Sequence, residues 1–203
     1  MMRDSEELLR AALAKAPAGL AEHVLRVLDE ATRLAAFHGV DPEAVKLAVL
    51  GHDILRAHAP GRLPTIAAEQ GYAMEESERM EPLLLHGPLA VPILREQYHV
   101  HDADVLGAVA AHTTAAPGMS PLAKLIFLAD KVEPEKLERR PAAARVRDLA
   151  AYDLDAALLA YLDLLVLEAV EGHWPLHSNT VAARNELLKA RRPSPLREPP
   201  AAR

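Results

Sequence analysis

Ten histidines in 203 residues are where this chain can do chemistry, and four of them fall, with two aspartates, in one kind of place. His23, His52, Asp53, His86, His112 and Asp130 each border an apolar helical stripe in the sequence pattern. An imidazole or carboxylate buried there without a partner costs about 2–7 kcal/mol. Two readings remove that cost. Either each group is a hydrogen-bonded core or boundary residue, the commoner fate of a single histidine, or the six share a cation. The chain has no cysteine, so a metal here must accept imidazole and carboxylate, as iron, manganese and zinc do. Six ligands exceed one tetrahedral site, and a carboxylate can bridge two ions. Periodicity alone does not choose between the readings. The adjacent His52 and Asp53 are weak evidence by themselves, because a second such pair, His101 with Asp102, reads as part of a helix cap.

The elements that must position these groups are helices. Residues 5–15 form a short helix that stops before Pro17, and 21–38 form a second, with His23 one turn before Val27. Gly39 is a helix stop, Asp41 an N-cap and Pro42 a first helical residue, so His52 falls seven residues after Val45 on the same stripe. Residues 58–82, punctuated by Pro60, Gly61, Pro64 and Gly71, leave room for one short helix. His86 stands at a helix start; Asp102 or Asp104 caps the helix whose apolar face carries His112; Ser120 and Pro121 open the helix that ends near Asp130. A long helix over about 148–171 and a last one from Ser178 complete the set, followed by a proline-rich tail expected to be disordered. The expected boundaries are a single helical domain over 1–190 and the tail over 191–203.

Composition agrees with an all-α fold. Half the residues are apolar but only 3% are aromatic, so the core is built from Leu, Ala, Val and Ile, which suits close-packed helices better than a sheet sandwich. The formal charge of −6 argues against general attraction to nucleic acid, and an anionic substrate would need local cations. Asp4, Glu6, Glu7, Arg10 and Lys15 interrupt what would be a signal peptide's apolar segment, and residues 105–123, though uncharged, carry His112, Pro117, Gly118 and Pro121. A cytoplasmic location is the expectation.

With these residues assembled, the chain resembles the HD-domain metal-dependent phosphohydrolases, whose pattern is a helical His, a His-Asp pair and a distant Asp: here His23, His52 with Asp53, and Asp130. The phrases LLLHGPLA (83–90), HTTAAPGMSPLAKLIFLADKVEP (112–134) and HSNTVAARNELL (177–188) make it similar to one branch in particular, the YqeK-type symmetrical diadenosine tetraphosphate hydrolases. The resemblance implies a single all-α HD-type helical bundle. It further implies two divalent or mixed-valence metal ions, iron first with manganese or zinc as alternatives, and hydrolysis of diadenosine tetraphosphate and related dinucleotides to nucleoside diphosphates. By position, His23, His52, Asp53 and Asp130 would hold one ion, and His86 and His112 the other, with Asp53 bridging.

Two-metal hydrolysis activates a bridging water and neutralises phosphate charge. Asp53, Arg56 and Thr113 are then the expected catalytic residues. Arg56, Thr113, Thr114, Lys124 and Arg184 are candidate substrate contacts, each with a bland counterpart as helix-end cation, cap or surface residue. Asn185, His177 and Thr180 match the terminal motif with a structural or substrate-lining role. His38, His58, His99, His101 and His173 read as surface or boundary residues. Departures from the family pattern at Ala115, Lys131, Glu135 and Lys136 bear on substrate preference more than on reaction type. The expected partner is a small nucleotide, without nucleic acid or membrane, and a homodimer is compatible with the chain. Competing readings are an HD phosphohydrolase for a nucleoside monophosphate or an alarmone, which with a single ion would not need His86 and His112, and a non-catalytic helical regulatory module.

Overall fold

The computed structural model describes residues 2–57 and 60–191, and among them there is no strand. His58 and the tail beyond Arg191 lie outside the described residues. The sequence of twelve helices begins with α1 (Met2–Leu13), α2 (Ala18–His38) and α3 (Pro42–His52). Gly39 ends α2 at φ 63°, the left-handed conformation that closes a helix cheaply only for glycine. Asp41 then caps α3 by accepting from the Glu43 N–H. The expected helix starts at Pro42, His86, Pro121 and Ser178 are all observed, as α3, α6 (His86–Gln97), α8 (Pro121–Val132) and α12 (Ser178–Arg191). Between α6 and α8 lies α7 (Ala103–Ala111), and its cap is Asp102, which accepts from the N–H groups of Asp104 and Val105.

Two stretches differ from expectation. The 58–82 region carries two short helices, α4 (Leu63–Glu69) and α5 (Glu76–Met80), the second opened by a reciprocal capping box between Glu75 and Glu78. Glutamate is an uncommon N-cap, so no Ser, Thr, Asp or Asn announces that helix. The long helix expected over 148–171 is divided: after α9 (Pro134–Arg139) come α10 (Ala144–Ala150) and α11 (Leu154–Gly172). The break follows from Asp153, whose carboxylate accepts from the Ala156 N–H and starts a new helix where the apolar periodicity alone would continue.

Helices α2, α3, α7 and α8 pack on one another around the core, with α6 on α7, α1 on α3, and α10 and α11 against α8. Phe127 is fully buried, edge-on to Tyr161 at 5.5 Å between ring centroids; the remaining large core side chains are aliphatic. These helices form one helical domain. No helix among the described residues is long and apolar enough to cross a membrane.

Candidate metal centre

The six candidate ligands come from five helices. His23 lies on α2, His52 is the last residue of α3 with Asp53 as its cap, His86 is the first residue of α6, His112 caps α7, and Asp130 is near the end of α8. Ending α3 and α7 at the centre aims two helix C-termini at it, and the negative end of the helix dipole favours a cation. Five of the six residues are buried, and His23 is nearly so.

The imidazoles are oriented alike. The Nδ1 atoms of His52, His86 and His112 face the carbonyl oxygens of Val49, Leu83 and Val109, each three residues earlier. A carbonyl only accepts, so each Nδ1 carries the proton and each Nε2 turns a lone pair inward. This is how a metal-binding histidine is held by the protein around it. The inward atoms then face one another: His86 Nε2 lies 2.8 Å from His112 Nε2, 3.1 Å from Asp53 Oδ1, and His112 Nε2 lies 3.6 Å from the same oxygen. On the other side, Asp53 Oδ2 is 3.5 Å from His52 Nε2 and 3.6 Å from His23 Nε2, while Asp130 Oδ1 is 3.1 Å from His23 Nε2 and 3.9 Å from His52 Nε2. Asp53 thus presents one oxygen to each of two groups of atoms.

A cluster of acceptors is self-repelling unless a positive charge sits among them. His52 Nε2 and Asp53 Oδ2 are buried without a hydrogen-bond partner. Ligands about 2.1 Å from a metal at right angles are roughly 3.0 Å apart, close to the observed separations. His23, His52 and Asp130, and again His52, Asp53 and His112, form groups able to hold an ion. The donor set therefore fits a metal. Burial also pushes the imidazole of His112 down to about 3 and lowers that of His52, so both are neutral at pH 7 and free to ligate. Burial opposes ionisation of Asp130, but the ammonium groups of Lys131 and Lys136, 2.7 and 2.6 Å from its oxygens, outweigh it and keep a carboxylate.

Several residues that complete the centre have no role assigned to them from the sequence. Glu133 is buried; it accepts from Arg26 Nε at 2.8 Å and faces His23 Nδ1 at 3.3 Å, orienting that imidazole as the carbonyls orient the others. Gly87 lets α6 approach α7: a Cβ there would lie 2.9 Å from the Val109 carbonyl oxygen and 3.2 Å from His112 Nδ1. Lys131, Lys136, Arg139 and Arg140 line a cleft of about 350 Å³ with Thr113 and Tyr161. Arg140 in turn is held by the Tyr161 hydroxyl and by Glu168.

The candidate substrate contacts divide. Thr113 borders the centre, its hydroxyl 3.2 Å from His112 Nε2 and 3.3 Å from His86 Nε2. Arg56 is exposed in the turn after α3, its backbone N–H bonded to the Asp53 carbonyl and its guanidinium without an ion pair among the described residues. Thr114 is buried and donates to the Ala115 carbonyl. Lys124 pairs with Asp155 at 2.6 Å, and Arg184 with Asp163 at 2.6 Å, so both cations are engaged away from the cationic cleft. Asn185 is exposed on α12. The 177–180 segment is a tether: His177 Nε2 faces Glu75 and Glu78, Ser178 donates to Glu75, and the Thr180 hydroxyl donates to the Thr114 carbonyl.

Of the remaining histidines, His38 hydrogen-bonds the Ala150 carbonyl, His99 and His101 are exposed, and His173 caps α11 in the left-handed conformation. Residues 20–135, which hold all six candidate ligands, match the family model for the HD domain. The chain is 32% identical to a protein of Halalkalibacterium halodurans named bis(5'-nucleosyl)-tetraphosphatase, symmetrical, over 82% of this chain and 88% of that one. It is 28% identical to the protein of the same name from Bacillus subtilis, over the same shares. A crystal structure from Clostridium acetobutylicum, described as a predicted HD superfamily hydrolase involved in NAD metabolism, superposes with a TM-score of 0.83 at 30% identity, covering 91% of this chain and 96% of that one. An HD-domain match across the six candidate ligands, with relatives similar over most of their length, leads to one conclusion: this chain belongs to the HD-domain family.

Proposed function

We propose that this protein hydrolyses diadenosine tetraphosphate and related dinucleoside polyphosphates symmetrically, into two nucleoside diphosphates. The observation that carries the chemistry is the division of Asp53, whose two oxygens face two separate sets of inward lone pairs. His23, His52, Asp53 and Asp130 would hold one ion, and His86, His112 and Asp53 the second. Iron is the first choice, and manganese or zinc fits the same nitrogen and oxygen ligands. Two such ions supply a low-pKa water as nucleophile near neutral pH and neutralise phosphate charge. The names of the bacterial relatives supply the substrate class.

The chain's own groups do the rest. Lys131, Lys136, Arg139 and Arg140 line the cleft beside the centre; they pair with Asp130, Glu135 and Glu168, so four cations face three carboxylates and the local excess is positive, which an anionic polyphosphate needs in a protein of net charge −6. The Thr113 hydroxyl, beside both His86 and His112, is placed to orient a phosphate oxygen, and Arg56 is free to reach the substrate from the exposed turn. The departing nucleoside diphosphate has a terminal phosphate ionising near ~6, so it leaves without a strong general acid. None is needed among the lining residues. An interior, reducing compartment suits a chain without cysteine.

A single-ion phosphohydrolase of the nucleotide-monophosphate or alarmone kind would leave His86 and His112 as two buried, mutually facing acceptors with no task. The test is anaerobic purification with metal analysis, followed by product analysis on diadenosine tetraphosphate. ADP as the sole product is expected. ATP plus AMP would replace symmetric cleavage with a different register, and metal-free protein that retains full activity would end the proposal.

A further inference from the structure

The chain has one tryptophan, and it is not in the core. Trp174 is 41% exposed and borders a mainly apolar cavity of about 320 Å³ with Met80, Leu84, Leu165, Leu176 and Thr113. Leu165 and Thr113 also line the cationic cleft. The two cavities therefore adjoin, and at their shared wall the Thr113 hydroxyl lies within 3.3 Å of two histidines of the centre. One cavity offers cations, the other an aromatic face among aliphatic side chains, and Thr113 between them touches two histidines of the candidate centre. A nucleotide has that order of chemistry along its length: base, then reacting phosphate, then further phosphates.

The indole is held in place by the chain that leads to it. Helix α11 ends at Gly172, His173 turns at φ 54°, and the Trp174 N–H returns to the Ala169 carbonyl. A Cβ on Gly172 would lie 2.5 Å from Trp174 Nε1 and 2.6 Å from Cδ1, so the ring rests where only glycine leaves room. Fixing a solvent-exposed indole in this way reduces the ordering cost of stacking something on it.

We infer that Trp174 and this apolar cavity form the subsite for one purine base of the dinucleotide. The inference rests on the dinucleoside polyphosphate reading of the centre. Most polar groups on the cavity wall already have partners: Ser77 donates to Glu75, Thr114 to the Ala115 carbonyl, Thr180 to the Thr114 carbonyl, Glu81 accepts from the Leu83 N–H, and His177 Nε2 faces Glu75 and Glu78. Recognition is then mainly by stacking and apolar contact, with the exposed Glu81 carboxylate left as an acceptor for a base N–H. Stacking of a base on an aromatic side chain is worth roughly 5- to 150-fold in affinity.

The single tryptophan makes the test direct. Titrating the purified protein with ADP or GDP should change its intrinsic fluorescence, whereas inorganic triphosphate should not. Trp174→Leu should raise KM for diadenosine tetraphosphate by at least about 5-fold, more than it lowers kcat, and Trp174→Phe should recover most of the loss. Gly172→Ala, which displaces the indole without removing it, should also raise KM. Circular dichroism checks that each variant keeps its helices, and the fluorescence titration of the wild-type protein with ADP carries the test if Trp174→Leu does not fold. Unchanged fluorescence at saturating ADP, or an unaltered KM in Trp174→Leu, overturns the inference while leaving hydrolysis to ADP intact. Dissociation of a dimer by Trp174→Leu with KM unchanged would assign the face to a second copy and also overturn it. If wild-type protein with its metal releases no ADP from the dinucleotide, the underlying reading fails and the subsite falls with it.

Discussion

Replacing Asp53 by asparagine separates a metal centre from a buried hydrogen-bond cluster, because the two give opposite signs without metal. Asp53 Oδ2 and His52 Nε2 are buried, unpartnered and 3.5 Å apart, with His23 Nε2 3.6 Å from the same oxygen. In the metal-free protein, an amide N–H at the Oδ2 position donates to an imidazole lone pair and also removes a buried charge. Satisfying one such group is worth about 1–3 kcal/mol, or roughly 2–12 °C in Tm for a chain of this size. With metal present the order reverses. Wild-type protein at a metal concentration one hundred times Kd gains about 2.7 kcal/mol, and Asp53→Asn, having lost the shared anion, gains little. The assay is thermal unfolding of both proteins with chelator and with added manganese, alongside metal content. Asp53→Asn melting below wild type in chelator would mean that Asp53 is satisfied by protonated imidazoles in a structural cluster, and the argument for a cation at this place would be refuted.

His86→Ala should lower bound metal from two ions per chain to about one while the helical content stays unchanged, because His86 serves only the His112 side of Asp53; loss of folding would make it a core residue. Gly87→Ala should lower metal content although position 87 is no ligand, since its Cβ would press on the Val109 carbonyl and His112 at 2.9 and 3.2 Å; unchanged metal binding would show that α6 and α7 separate without moving the imidazoles. The metal-free protein should lose stability as the pH falls. His112 is held near 3 in the fold by burial against about 6.5 when unfolded, so below pH 6.5 only the unfolded chain takes up its proton. That amounts to about 2 kcal/mol by pH 5, measurable by urea unfolding in chelator, and a flat profile from pH 6.5 to 5 would contradict the burial argument.

What the sequence made legible here was periodicity and caps. Asp41, Pro42, Asp102, Ser120 and Pro121 mark helix starts by backbone chemistry that is local, and that local chemistry places His52 on the buried stripe of α3 and His112 at the end of α7. The convergence of six groups was not local, and only the resemblance tied them together. The missing residues had weak signals for identifiable reasons. Glu133 reads as a helix cap, which it also is, accepting from the Glu135 N–H; its second task toward His23 and Arg26 depends on α2 crossing α8. Gly87 reads as turn punctuation beside Pro88, whereas its use is the close approach of two helices. Glu75, an atypical cap, hid α5 and the tether from α5 to Ser178.

The cations show most clearly why residue type alone cannot locate a binding surface. Arg56, Lys124 and Arg184 stand in or beside the most recognisable phrases, yet two of the three spend their charge on carboxylates of α11, Asp155 and Asp163. Lys131 and Lys136 are departures from the family pattern, Arg139 and Arg140 follow them, and the turn from α8 into α9 folds all four onto one cleft. A net charge of −6 would repel a polyphosphate at long range, but screening confines that field to about 8–10 Å at ordinary ionic strength. Within that distance the sign is set by the balance of the four local cations against Asp130, Glu135 and Glu168, together with any ions held by the six ligands. On the proposed reading, attraction of an anionic nucleotide would depend on that local balance beside Asp130 more than on the overall charge of the chain.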